Sequence, residues 1–151
     1  PSQTFGGIVI NAGATREANT YSYVLISNVD STQIPLTVNG SATLEHFTIA
    51  GNGNDTSLVV NGGTATVNYS ILEGSAAGSI TGVGSFFSST DQFVDLAGDN
   101  FELLPDAAAI DIGIQDSLNI DPDFTYSDAG AFYHDQIAYP VASAVVLYPA
   151  V

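Results

Sequence analysis

The densest group of potential ligand side chains is a set of four aspartates within thirteen residues: Asp116, Asp121, Asp123 and Asp128. Carboxylate oxygens are hard ligands that suit calcium. One interpretation of this spacing is therefore a calcium site. The run that begins at Asp121 starts like a calcium loop, but it lacks the later ligands and the required glycine. The alternative is that the aspartates build turns, because Asp accepts hydrogen bonds from nearby backbone groups. Mutual repulsion of the four carboxylates favours a counter-ion.

Residues that could act as catalysts are sparse. Arg16 is the only Lys or Arg in the chain, and there is no cysteine. A glycoside hydrolase needs paired carboxylates, and the coil region offers little beyond Glu45, Asp55 and Glu73. No G-x-S-x-G motif marks a serine nucleophile. We expect His46 to face outward from a strand and His134 to pack or cap a turn, and we therefore predict that the protein is not an enzyme.

The charge of the chain is one-sided, and this excludes several partners. The formal net charge is −15, although only 11% of the residues are charged. Binding of nucleic acid or of an anionic lipid surface requires cations, so both are excluded. The sequence contains no run of about 20 apolar residues, so it predicts no membrane span. The richness in Gly, Ser, Thr and Asn is typical of secreted proteins, and we expect an extracellular or cell-surface location. The start at Pro1 suggests a processed or excised product.

The elements that position these residues are predicted to be short strands. β-branched residues dominate the apolar runs, and the runs end in Asn, Gly or Ser, which suit sharp corners. The candidate strands are residues 7–11, 21–28, 33–39, 42–49, 57–61, 65–72, 86–87 and 92–95.

These predicted strands repeat. The segment LTVNG at 36–40 recurs as LVVNG at 58–62, and TLEHFTIAG at 43–51 recurs as TVNYSILEG at 66–74. An earlier copy, VLISN, lies at 24–28. A fixed period of about 22 to 23 residues predicts a parallel β-solenoid. Leucine-rich repeats share the period but not the consensus, and an antiparallel sandwich gives no reason for a fixed spacing.

A parallel solenoid would also account for the low charge of the repeats. Equivalent strands stack about 4.8 Å apart, so Ile26, Ile49 and Leu72 would form one inward column. Like charges in an outward column would repel, whereas Ser, Thr and Asn would not. The acidic groups lie elsewhere: eleven of the sixteen fall in residues 76–151.

Residues 69–133 carry an ordered series of motifs. They are YSILEG at 69–74, QFVD at 92–95, DNFELLP at 99–105, AIDIG at 109–113, DPD at 121–123 and DAGAFY at 128–133. This series resembles the C-terminal end of secreted bacterial right-handed parallel β-helix proteins of the pectate-lyase-like superfamily. The resemblance covers about residues 67–135 and implies secretion and an all-β fold: a short right-handed parallel β-helix with a non-repetitive closing segment. It implies no reaction, because a fold alone does not specify one.

We therefore divide the chain into β-helix coils (residues 1–85), a closing segment (86–136) and an apolar tail (137–151). Because family members usually carry more coils upstream, we expect either the C-terminal piece of a longer protein or a short subunit. The tail either folds back on its own body or packs on a neighbouring molecule. Its candidate assembly residues are Ile137, Tyr139, Val141, Val145, Val146, Leu147 and Tyr148.

The function expected from these patterns is structural. The first coil would present unpaired strand edges, residues 1–20 offer little to cover them, and the closing segment could cap the other end. Head-to-tail contacts of this kind do not close and build filaments. We predict a non-catalytic subunit of an extracellular filament or surface assembly, with other copies of itself as partners. The alternatives are a carbohydrate-binding or polysaccharide-processing module that contacts glycans, and a fragment of an adhesin stalk.

Overall fold

The computed structural model describes residues 5–11, 19–114 and 120–134. Within these ranges the chain forms twelve β-strands, one short 3-10 helix and no α-helix. The strands are β1 (Ile8–Asn11), β2 (Asn19–Ile26), β3 (Leu36–Asn39), β4 (Ala42–Ile49), β5 (Thr56–Asn61), β6 (Ala65–Asn68), β7 (Ile71–Leu72), β8 (Ser75–Ala77), β9 (Ile80–Thr81), β10 (Phe86–Phe87), β11 (Phe93–Asp95) and β12 (Asn100–Leu103). The 3-10 helix is Leu96–Gly98. In the described part, no helix is long and apolar enough to cross a membrane.

Ten of the strands form two sheets in which every pair is parallel. The first sheet has the order β1-β3-β5-β8. In the second sheet, β2 pairs with β4, β4 pairs with β6 and β7, and these pair with β9 and β10. The chain thus passes alternately from one sheet to the other. The predicted all-β fold with parallel strands is confirmed.

The strand register follows the sequence repeat. In the first sheet Leu36 pairs with Leu58, and in the second Thr43 pairs with Thr66. The predicted inward column of Ile26, Ile49 and Leu72 is in register and buried. Burial of one such side chain contributes about 1.5–3 kcal/mol. The columns therefore fix the register, because a one-residue slip would turn every apolar side chain outward.

Polar side chains line the outer faces of both sheets and repeat in the same register. In the first sheet the amide of Asn61 donates to the side-chain oxygen of Asn39 at 3.1 Å, and Asn39 donates to Asn11 at 2.8 Å. In the second sheet the hydroxyls of Thr66 and Thr81 lie 3.3 Å apart. These ladders satisfy polar groups without stacking like charges.

The closing segment begins as part of the second sheet, since β10 pairs with β7. Its later residues form a second core with Phe93, Phe101 and Leu103, which packs against Ala50 and Ile71. Ile71 lies beside Leu72, whose side chain belongs to the first core, so the second core covers the outer face of the second sheet. This second core packs laterally on the stacked strands, and capping of their end by the closing segment stays a prediction.

Candidate functional site

A column of three aromatic residues joins the second sheet to the closing segment. Tyr23, His46 and Tyr69 recur at a constant interval in the sequence and are skipped in the strand pairing. All three have left-handed backbone angles, with φ of 56°, 52° and 49°. Residues other than glycine rarely adopt this backbone conformation, so each of the three residues marks a sharp corner of the chain. The constant interval between these residues is a sequence signal that could have revealed the column.

His46 is buried, at 1% exposure, because the closing segment covers it on the second sheet. Its ring stacks on Tyr23, with centroids 4.7 Å apart and planes at 8°, and lies 5.5 Å from the Tyr69 ring. Its Nδ1 lies 2.9 Å from the carbonyl oxygen of Asp128. Since a carbonyl only accepts, Nδ1 carries the proton and donates it. The closing segment covers this strand position, which strand patterns alone do not reveal.

The buried environment of His46 changes its acidity. Burial lowers the pKa of the imidazole, because the charged form loses hydration. The hydrogen bond to the Asp128 carbonyl and the charge of Glu45 act in the opposite direction and only reduce the effect. His46 is therefore neutral at pH 7. Its hydrogen bond to Asp128 joins the second sheet to the closing segment.

Two further contacts attach the closing segment to the same face of the second sheet. The backbone N–H of Ala131 donates to the hydroxyl of Thr48 at 2.9 Å. The N–H of Gly130 donates to the carbonyl of Tyr69 at 2.8 Å. A Cβ on Gly130 would lie 2.8 Å from the Thr48 hydroxyl, so this close approach requires glycine.

Three of the four predicted calcium ligands lie in the described residues, and Asp116 lies outside them. Asp123 accepts hydrogen bonds from the backbone N–H and hydroxyl of Thr125 at 3.1 and 2.7 Å. Asp128 accepts from the N–H of Asp111 at 2.8 Å and from the N–H of His134. The bonds of Asp123 fit the turn-building interpretation, whereas Asp128 joins backbone groups 17 and 6 positions away, the second of them that of His134.

The acidity of Asp121 is strongly shifted. Burial raises the pKa of its carboxyl to about 6, and the nearby charges of Asp128, Asp123 and Asp111 add to this effect. Burial also raises the pKa of Asp128, although its hydrogen bonds from Asp111 and His134 partly offset the increase. The closing segment therefore brings these carboxylates close enough to interact.

No three His, Cys, Asp or Glu side chains of residues 5–11, 19–114 and 120–134 are arranged to hold a metal ion. With Asp116 outside these ranges, the calcium site stays a prediction. The seven candidate assembly residues of the tail, Ile137 to Tyr148, also lie outside the described residues and stay predictions.

The stacked strands end in edges without a partner strand among the described residues. At one end, β1 pairs only with β3, and β2 only with β4. At the other end, β8, β9 and β10 each pair with one strand. Large apolar side chains are exposed at both ends: Val9 at 58% and Ile8 at 38% on β1, and Phe87 at 41% on β10. Exposed strand edges of this kind are templates for pairing with another chain.

A groove of about 740 Å³ is lined by residues of the closing segment. Two of its aromatic residues are exposed, Phe132 at 40% and Tyr133 at 51%. Its lining residues are Val94, Glu102, Leu103, Pro105, Ala131, Phe132, Tyr133 and His134.

Comparison with known proteins assigns no family. No family model matches the chain, and neither a curated protein nor a solved structure matches it.

Proposed function

We propose that the chain is a short right-handed parallel β-helix, of the kind found in secreted pectate-lyase-like proteins, and that it is a non-catalytic subunit of an extracellular assembly. The observation that carries the proposal is that, among residues 5–11, 19–114 and 120–134, two parallel sheets end at opposite sides in strand edges without a partner and with exposed apolar side chains. Each edge exposes backbone groups that another copy can satisfy.

The alternation of strands supports the β-helix part of the proposal. The chain visits the first and second sheets in turn, and each strand pairs with its equivalent in the next passage of the chain. A single coil that advances by one strand spacing per turn produces this order. The asparagine ladder from Asn11 to Asn61 and the left-handed corners at Tyr23, His46 and Tyr69 recur once per turn, as such a coil requires.

The use of the polar side chains supports a structural role. Asp128 accepts hydrogen bonds from two backbone N–H groups. His46, whose ring contacts two other aromatic rings, donates to a backbone carbonyl. Gln92 accepts from the N–H of Ala109 at 3.0 Å. A catalytic acid or base must reach substrate, whereas His46 and Asp128, the pair linking sheet and segment, are buried.

The test is self-association of the purified chain. We expect analytical ultracentrifugation to show growth with concentration, and electron microscopy to show elongated assemblies. Val9→Lys, which places a charge on the open edge of β1, should reduce assembly at least tenfold, because charged edge residues oppose strand pairing. Val94→Lys is the matched control, since Val94 is similarly exposed, at 47%, but lies on β11.

Two results would contradict the proposal: monomers at every concentration, or equal assembly of the Val9→Lys variant and the wild type. A chain ending at residue 136 tests the predicted tail residues separately. Loss of assembly in that variant would assign the contact to the tail, and unchanged assembly would assign it to the strand edges.

A second candidate function is glycan binding at the groove of the closing segment. The exposed rings of Phe132 and Tyr133 can pack on a sugar ring, and Glu102 can accept hydrogen bonds from its hydroxyls. A glycan-array signal that Tyr133→Ala removes and Val9→Lys leaves unchanged would support this function. Absence of any signal would exclude it for the glycans tested.

A further inference from the structure

Resting on the proposed self-association, we infer that two copies join head to tail in one defined register. Strands β8, β9 and β10 of one copy pair in parallel with β1 and β2 of the next. The occupant of each open end is thus the opposite end of a second copy of this chain, and the joint repeats the pairing found inside the molecule.

The first sheet shows how the register continues. One inward column contains Ile8, Leu36, Leu58 and Ala76, in that order. The neighbouring outward column runs from Val9 to Ala77 through β3 and β5. Placing β1 of a second copy beyond β8 brings its Ile8 next to Ala76 and its Val9 next to Ala77.

The second sheet provides an independent match. The column of paired residues that begins with Thr20 of β2 ends with Thr81 of β9. The column that begins with Leu25 of β2 ends with Phe86 of β10. Thr20 and Leu25 are five residues apart, and so are Thr81 and Phe86 at the other end. One β2 strand therefore has the length and spacing to pair with both β9 and β10 of another copy.

Side chains at the two ends are complementary. The chain has a net charge of −15, yet the terminal strands β1, β2, β8, β9 and β10 contain no charged residue. A depression of about 340 Å³ at the β8 end is lined by Ala76, Ile80 and Phe87 together with two serines. In the proposed register the exposed Ile8 side chain lies over this depression, and both gain apolar burial.

The alternative of joining two identical ends fits these strands less well. Two β1 edges related by a twofold axis would run antiparallel, and the columns of Ile8 and Val9 would not continue. A translation that places β8 beside β1 keeps all strands parallel and continues each column in its register. The threonine column, whose hydroxyls at Thr66 and Thr81 already lie 3.3 Å apart, then continues to Thr20 of the next copy.

Engineered cysteines test this register directly, because the natural chain has none. In the full chain, Val9→Cys combined with Ala77→Cys places the two thiols at adjacent positions across the joint. A short bifunctional thiol reagent should then produce a ladder of dimers, trimers and longer species on non-reducing gels. Thr20→Cys with Thr81→Cys makes the same test in the second sheet, should one pair disturb folding.

Two controls make the result specific to the register. Val9→Cys with Thr81→Cys pairs exposed positions from different sheets and should give at least tenfold less of the ladder. Val9→Cys alone should give no enrichment of dimers; efficient dimers from this variant would indicate joined identical ends and would overturn the inference.

Electron microscopy of the same samples separates the two proposals. Assemblies without a ladder from either matched pair would overturn the register and leave self-association standing. Monomers throughout would overturn both, which is also the outcome if another segment of the same chain covers the edges.

Discussion

The stacked strands and the closing segment are ordered by different means. In the stacked strands, columns such as Leu36 and Leu58 repeat one apolar contact from strand to strand, and the ladder from Asn11 to Asn61 repeats one polar contact. The closing segment instead relies on individual contacts, such as those of Gln92 with Ala109 and Asp128 with Asp111. Periodic contacts repeat the same packing from strand to strand, whereas unique contacts fix one segment in one place.

The largest effect that distinguishes the two regions is expected from their cores. Leu58→Ala, at a fully buried position of the stack, should destabilise the whole protein by about 2 to 5 kcal/mol, because it leaves a cavity between two sheets. Leu103→Ala, buried in the second core, should instead release the closing segment first. Urea unfolding, monitored by circular dichroism and by proteolysis, measures the global loss of stability and the release of the closing segment. Identical unfolding profiles for the two variants would show that the two regions do not unfold separately.

The contact between the regions should be weakened by substitution of His46. His46→Asn keeps a residue that tolerates the left-handed backbone but loses the ring stacking and the hydrogen bond to Asp128. We expect a loss of about 2 kcal/mol. Limited proteolysis should show earlier cleavage in the closing segment while the parallel sheets keep their circular dichroism signal.

Tyr23→Asn is the control for this substitution, since Tyr23 occupies the same column but is 59% exposed. Its effect on the closing segment should be smaller. Equal cleavage rates for both variants and the wild type would show that the aromatic column does not hold the segment.

The ladder of the first sheet should contribute less than either core. Asn39→Ala removes two amide hydrogen bonds, one to Asn11 and one from Asn61. We expect a loss of about 1 kcal/mol, because the remaining amides can be hydrated. Thermal unfolding measures this loss of stability, with Thr37→Ala on the same strand, β3, as the control. A larger loss for Thr37→Ala would contradict a stabilising contribution of the asparagine ladder.

An effect of similar size concerns the acidity of the closing segment. The folded protein raises the pKa of Asp121 from 3.8 to about 6, so the stabilisation of its protonated form is complete below pH 3.8 and is lost as the pH rises towards 6. Asp121→Asn should therefore increase stability at pH 7.5 by about 1 kcal/mol. The full shift would give a larger value, but the side chain is partly exposed and solvent screens it.

His46 acts with the opposite sign in an overlapping range. Its lowered pKa means that its contribution is present above pH 6.5 and is lost as the pH falls below that value. The difference between wild type and Asp121→Asn, measured by urea unfolding at pH 4 and 7.5, isolates the aspartate. Asp106→Asn removes the same charge at an exposed position and serves as the control.

A calcium site would reverse the expected sign of the Asp121 substitution. Added calcium would then raise the Tm of the wild type, and Asp121→Asn would lower this gain. Destabilisation by Asp121→Asn at pH 7.5 in the presence of calcium but not of a chelator would thus replace the turn interpretation by the calcium interpretation.

The repetitive region could be predicted from sequence because its period is visible in the residues. The pairing of Leu36 with Leu58 and of Thr43 with Thr66 follows directly from the repeat. The burial of His46 could not be predicted in this way, because the covering residue Asp128 lies 82 positions later and belongs to no repeat. The asparagine ladder was visible in the repeated LTVNG and LVVNG segments, but its donors and acceptors depend on side-chain orientation.

The four strands of the first sheet, β1, β3, β5 and β8, set the length that one molecule would add to a fibre. Parallel strands are spaced by about 4.8 Å, so four strands correspond to an axial repeat of about 19 Å. Aligned fibres should therefore diffract along their axis at the strand spacing and also at this fourfold longer period. Amyloid built from one strand per molecule would lack the longer period, so the X-ray pattern would distinguish a continued coil from aggregated chains.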